Sequence, residues 1–236
     1  MTNLTITATD VRPIEIVEQM TIPAGETITA GQVCIPDATT AKAMKTNASE
    51  AVARPGVALT SATANFPTTL LLRGLLYLGA ALAGMAYHAK VWISGTDGAM
   101  SDADPSKNEV QTLTFGGTPT GGTFTLTFGG QTTGAIAYNA TSATVQTAME
   151  ALSTIGLGNI LVTGTTLPDQ VLTATFVNDL GKQPVGAITA TLTSLTGGAP
   201  TCVIAESVAG VYGYVLGEVE PVPAETTPLK ALRIGA

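Results

Sequence analysis

Hydrophobic and polar positions follow two different patterns along this chain. In the middle, Val110-Gln-Thr-Leu-Thr-Phe115 and Thr123-Phe-Thr-Leu-Thr-Phe128 alternate strictly. A period of two predicts strands with one buried face. A Gly/Pro-rich turn joins these two runs, and Gly129-Gly130 leads into residues 131–138, so the three are expected to form a meander. One helix follows. Thr141 or Ser142 can cap it, Val145, Ala148, Met149 and Leu152 fall at helical spacing, and Gly156 stands past its end. Strands near residues 160–162, 171–177, 188–195 and 202–204 complete a β-sandwich-like domain whose helix covers an open edge or face.

On either side the pattern is shorter and more broken. Residues 13–17, 32–35, 56–59, 69–78, 90–93, 212–219 and 229–234 are rich in β-branched and aliphatic residues punctuated by Gly and Pro. Many short strands with such punctuation predict a small barrel or sandwich. Residues 80–86 can form at most a helical turn. The apolar stretch 70–93 is interrupted by Arg73, followed by His88 and Lys90, and carries Gly74, Gly79 and Gly84. Its uncharged part is shorter than the roughly 20 residues of a bilayer-spanning helix, so strand, turn, strand is expected and no membrane partner.

The flanking segments echo each other. Ala24-Gly25, Ala30, Val33-Cys34-Ile35 and Ala43-Met44 recur as Ala83-Gly84, Ala89, Val91-Trp92-Ile93 and Ala99-Met100. The first copy continues with Val52-Ala53, Gly56-Val57-Ala58-Leu59, Pro67, Thr68-Thr69 and Arg73-Gly74. The second continues with Val208-Ala209, Gly213-Tyr214-Val215-Leu216, Pro223, Thr226-Thr227 and Arg233-Ile234-Gly235. Seven residues separate Met44 from Val52, but 107 separate Met100 from Val208. The second copy therefore holds a domain-sized insertion at one loop. The expected organisation is mainly β: a small duplicated β-barrel or β-tulip-like module at 1–107 and 208–236, interrupted by the sandwich-like domain at 108–207.

Composition changes the picture in one respect. Only 11% of residues are charged, against roughly 25% in an average soluble protein. Thr, Ala, Gly and Ser must cover much of the surface. Such a surface loses little side-chain entropy on packing and resembles interface cores, which are depleted in Lys, Glu and Asp. That favours life in an assembly. With 45% hydrophobic residues and a net charge of −7 the chain can collapse. The N-terminus lacks the basic start and apolar core of a signal peptide, so assembly in a cytoplasm is expected.

Candidate chemistry is sparse, and no enzyme and no cofactor are expected. The single histidine, His88, has no G-x-S-x-G elbow to serve and sits where the first copy has Thr29. Cys34 and Cys202 fall in different modules without C-x-x-C spacing, and read as buried free thiols. The acidic loop Asp97, Asp102, Asp104, Asn108, Glu109 invites calcium, but Lys107 stands where an EF-hand needs Gly. A solvated linker is the expectation, with an irregular calcium site as the alternative. The Gly pairs 116–117 and 121–122 read as hairpin turns, and ten scattered Lys and Arg in an acidic chain argue against nucleic acid.

The outer segments Ala24 to Ile35, Gly56-Val-Ala-Leu59 and Leu70-x-x-Arg73-Gly74 resemble the recurring segments of small phage head decoration (capsid cement) proteins. The middle resembles a β-rich module of virion and surface proteins of actinobacterial tailed phages. Its marks are Glu109-Val-Gln-Thr-Leu-Thr, Gly117-Thr-Pro-Thr-Gly-Gly-Thr-Phe-Thr-Leu, Ile136-Ala-Tyr-Asn-Ala-Thr and Ala148-Met-Glu-Ala-Leu152. The resemblance implies a structural virion protein on the outer capsid surface. Its partner would be the major capsid protein and its state a homo-oligomer, a trimer by preference. The uncharged arm Thr2, Asn3, Leu4, Thr5, Ile6, Thr7, Ala8 is the candidate capsid-binding element, by adding a strand to a capsid sheet. The inserted domain would project outward, as a spacer or in contact with host-surface glycans. A tail-fibre or carbohydrate-binding adhesion module is the alternative reading, and a cell-wall hydrolase ranks third.

Overall fold

The computed structural model describes residues 2–50, 54–164, 171–222 and 229–235. The repeat positions Val52, Ala53, Pro223, Thr226 and Thr227 lie outside them. The chain is mainly β and divides into two compact units. One is discontinuous, Met1–Pro105 with Tyr212–Ala236, and the other, Ser106–Val211, is inserted in it. In chain order the strands of the first unit are β1 (Val11–Pro23), β2 (Val33–Pro36), β3 (Ala43–Lys45), β4 (Gly56–Ala58), β5 (Pro67–Leu78), β6 (Lys90–Ile93) and β7 (Met100–Ser101). The inserted unit holds β8 (Val110–Gly116), β9 (Gly121–Phe128), β10 (Gln131–Thr132), β11 (Ile136–Ala137), α1 (Ser142–Glu150), β12 (Ile160–Thr163), β13 (Val171–Phe176), β14 (Thr189–Thr191), β15 (Leu195–Thr196) and β16 (Thr201–Val208). Then β17 (Val215–Pro221) and β18 (Lys230–Ile234) return to the first unit.

The discontinuous unit is one nine-stranded sheet curled into a half-barrel. Its order, β3-β2-β4-β5-β18-β17-β6-β7, reads the same from either end once β6, β7, β17 and β18 are matched to β2, β3, β4 and β5. The two halves meet at the antiparallel β5–β18 pair, so an approximate twofold relates them. Their outermost pairs share a register: Cys34–Lys45 and Ile35–Met44 in one, Trp92–Ser101 and Ile93–Met100 in the other. Further along, the sequence echo slips. Gly56 pairs with Cys34, but Val215, two residues beyond Gly213, pairs with Trp92. A register shift between Val215 and Gly217 widens the offset to three residues, since Val91 pairs with Gly217 where Val33 pairs with Val57.

The long apolar run in β5 has a tertiary reason. It is central and packs on both faces: Leu70 and Leu72 join one core cluster, while Leu71, Leu76 and Leu78 join another. Leu71 and Leu76 differ by an odd number of residues yet share a core. The extra residue Leu72, which has no partner on β1, flips the side-chain parity between them. After β5 the chain makes a short 3-10 turn at Gly79–Leu82 and enters β6, the strand, turn and strand read from sequence. Among the described residues no helix is long and apolar enough to cross a membrane.

The inserted unit is a sandwich of a four-stranded sheet, β12-β13-β8-β16, and a five-stranded sheet built around β9. Here the expected meander is corrected. β8 pairs with β13 and β16, whereas β9 pairs with β10, β11, β14 and β15. The Gly/Pro segment between β8 and β9 thus carries the chain from one sheet to the other. Both strands alternate because each lines the same core from opposite sides, and their Phe115 and Phe124 rings meet at 5.0 Å. Helix α1 packs along β12 and β11. Thr141 is its cap, accepting a hydrogen bond from the Thr144 amide at 3.2 Å, and Val145, Met149 and Leu152 are buried. Gly156, at φ +79°, donates back to the Leu152 carbonyl and ends the turn.

Candidate interaction surface

The arm Thr2–Ala8 lies along the edge of its own sheet. Asn3 bridges Ser101 in antiparallel fashion, the Leu4 amide donates to the Met100 carbonyl at 2.9 Å, and the Thr2 amide donates to Asp102 at 2.8 Å. The Asn3 side chain donates to Thr96 and accepts from Ser94. Leu4, Ile6 and Ala8 turn inward onto the core, while Thr5 and Thr7 face water. Gly31, at φ +90°, makes room for Ile6; a Cβ there would sit 2.6 Å from the Ile6 methyl. A foreign strand approaching β7 meets this arm already in place, which is how native sheets protect an edge.

A different element is uncovered. β1 runs beside β5 for its whole length, and six successive residues, 12–17, are exposed. A strand inside a folded sheet ordinarily hides one face; this segment hides neither. Two register irregularities explain how. Ile14 and Val17 have no partner on β5, so each is an extra residue in a bulge. Bulges re-aim side chains, and here they turn apolar ones outward. Ile14, Ile16 and Val17 are 41%, 49% and 56% exposed. Gly74 faces the stretch between the bulges. At φ +145° its Cα approaches the Glu15 carbonyl so closely that a Cβ would lie 2.2 Å from that oxygen. The Arg73-Gly74 pair singled out in the sequence therefore has a cause: only glycine admits the bulged ribbon.

The charges of the ribbon are mostly answered. Arg233 donates to Glu220 at 2.6 Å and to Glu15 at 3.1 Å, which holds its guanidinium above its ordinary range. Arg54 pairs with Glu18 at 2.7 Å, and the Arg73 Nε donates to the Gly235 carbonyl. A cleft of about 450 Å³ opens between these groups, walled by Arg54, Leu72, Arg73, Val215 and Ile234. Arg12 is the exception. It stacks over Tyr77, its Cζ 5.9 Å from the ring centroid, and no described carboxylate lies within ion-pairing distance. Sequence reading passed over this ribbon because residues 13–17 alternate only weakly. The signal was there as three apolar residues, Ile14, Ile16 and Val17, crowded among charges.

The remaining candidates are dispersed. His88 is exposed at φ +63°, and its amide donates to the Val219 carbonyl. Asp97 accepts from Asn47 and Asp102 from Thr2, whereas Glu109 is buried in the inserted unit. Among the described residues no three metal-ligating side chains gather. Burial pushes the Cys34 thiol up to about 12, with the Glu26 carboxylate adding to it, and burial pushes Cys202 up to about 11. Neither thiol is poised as a nucleophile near neutral pH.

The sequence mark Glu109-Val-Gln111 is structural. Gln111 donates to Glu109 at 2.7 Å and to the Gly186 carbonyl at 3.0 Å, and accepts from the Ile188 amide at 2.8 Å. Glu109 accepts from the Val185 amide at 2.7 Å. Two buried polar side chains, Glu109 just before β8 and Gln111 within it, thereby hold the backbone of residues 185–188.

No family model and no curated protein matches the chain. A solved chain from Mycobacterium phage Patience is similar over 95% of each chain at 14% identity, with a TM-score of 0.29. A superposition that loose carries no argument about function.

Proposed function

We propose that this chain is a structural virion protein of a tailed phage, one that binds the outer surface of the assembled capsid and stabilises it. The observation that carries the reading is the uncovered ribbon of β1, on a unit whose sequence segments resemble head decoration proteins. A strand exposed on both faces with three apolar side chains outward is unfavourable in water and favourable against a partner. The sparse charge of the surface acts in the same direction, because little has to be desolvated on docking. The partner is the major capsid protein, and a homo-oligomer, a trimer by preference, would seat several copies of each contact at once. Weak contacts then combine through effective concentration.

The test is sedimentation of the purified chain with empty heads of the cognate phage. Saturable binding at a defined copy number per head, with heads that resist heat or chaotrope longer when occupied, is the expected result. Failure to bind any head would end the reading.

One observation favours a second reading, a glycan-contacting adhesion module. The outer face of the β12-β13-β8-β16 sheet aligns Thr112, Thr114, Thr163, Thr173 and Thr175 with exposed Leu161, Val171 and Val203, and holds no charged side chain among the described residues. Hydroxyls beside apolar patches are what a neutral sugar would meet. Binding of the whole chain to envelope glycans, in the absence of head binding, would favour it.

A further inference from the structure

Resting on that reading, we infer that the capsid contact is made by the bulged ribbon at Arg12, Ile14, Ile16 and Val17, and that it takes a capsid segment presenting a carboxylate beside apolar side chains.

Three observations converge on these residues. The first is exposure: the stretch 12–17 is open on both faces, although its flanks in β1 return to the half-buried pattern of an ordinary edge strand. The second is the way the side chains are aimed. Ile14 and Val17 are the two residues of β1 left without a partner between Pro13 and Glu18, and both point apolar groups into water. The same bulges interrupt the outer ladder, so a continuous added strand fits this edge poorly. Side-chain contact is the better match: the ribbon offers protruding apolar groups for pockets on the partner.

The third observation is charge. Glu18 pairs with Arg54 within the unit, and Glu15 shares Arg233 with Glu220. Arg12 has no such partner among the described residues, and its plane is held against Tyr77. An arginine pre-oriented on a ring, with its fork of N–H donors open, suits a carboxylate. That end of the ribbon therefore offers an open guanidinium fork, in a chain of net charge −7. Two copies of a chain of net charge −7 repel each other at long range, so the occupant the open fork favours is a carboxylate-bearing segment of another protein. Arginine is also among the residue types that dominate interface energetics.

The experiment compares full-length chains for binding to empty heads by sedimentation. The variants are Arg12→Glu, the pair Ile14→Ser with Val17→Ser, and Leu157→Ser on the inserted unit as a control. All four positions are exposed, and unchanged thermal transitions verify that the folds are intact. Arg12→Glu and the double serine variant should each weaken binding by at least about tenfold, while Leu157→Ser binds as the parent does. Raising salt should weaken the parent more than it weakens Arg12→Ala, because the carboxylate contact is screened. Parent-like binding by Arg12→Glu and by the double variant would overturn the inference and leave the decoration reading standing. Absence of binding by the parent chain would overturn both.

Discussion

The inserted unit and the unit around it treat charge in opposite ways. Of the 27 charged residues, only seven fall in the inserted unit. One of those seven, Glu109, is the only charged side chain buried among the described residues. It lies in a closed polar set with Gln111 and the amide of Val185. The discontinuous unit carries the other twenty and keeps its described ones at or near the surface, in pairs such as Arg233 with Glu15 and Glu220. Abundance and energetic weight therefore run in opposite directions. A buried carboxylate is tolerable only when every polar neighbour is satisfied, and it destabilises strongly once one is removed. An exposed pair is screened by water and contributes little. The buried charge of the inserted unit is part of the folding code, whereas exposed Arg12 of the outer unit, with no described carboxylate in ion-pairing reach, is available for a partner.

Three changes would break or sharpen that contrast. The largest effect is expected from Gln111→Ala, which removes the donor to Glu109 and orphans the Ile188 amide and the Gly186 carbonyl. A loss of about 2–3 kcal/mol should appear in chemical denaturation followed by far-UV circular dichroism. A loss below about 0.5 kcal/mol would mean that the clamp is ornamental. The next concerns the thiols, one in each unit. Cys34 is fully buried and its thiol is pushed up to about 12, so the folded state keeps a proton that the unfolded chain releases from near the ordinary thiol value of 9.0. Stability should accordingly fall as pH rises through the window from about 9 toward about 12. Cys34→Val should flatten that fall in melts read by Trp92 fluorescence. An identical alkaline slope in the variant would assign the loss to other groups. The smallest effect is expected from Arg233→Gln. Its pairs are partly open to solvent, so the cost should stay below about 1 kcal/mol and shrink further in high salt.

How much of this was legible beforehand differs between the two units for a physical reason. In the inserted unit the alternation of Val110 to Phe115 and Thr123 to Phe128 marked real strands, and Thr141, Val145, Met149 and Gly156 marked the helix with its ends. The same alternation suggested a hairpin where the chain in fact crosses between sheets, since a strand lining a core alternates identically whichever strand it pairs with. Turn residues say that the chain reverses, not which neighbour it finds. In the outer unit, the echo of Val33-Cys34-Ile35 in Val91-Trp92-Ile93 indicated matching strands. It could not reveal the two-residue slip between Gly56 and Val215, because bulges change register without changing composition.

By itself, then, the amino-acid sequence determined the class of structure: which segments are strands, where the helix lies, and that the surface would carry few charges. These depend on local periodicity and on side-chain chemistry, which neighbours along the chain are enough to express. Only the tertiary structure decided that the arm at Thr2–Ala8 lies on β7, that Glu109 and Gln111 reach residues 185–188, and that Arg12, Ile14, Ile16 and Val17 stand open. Each of those rests on pairing between residues far apart in the chain, set by register and by close approaches such as that of Gly74 to Glu15. A one-residue change of register moves every following side chain to the other face, and no local pattern records it.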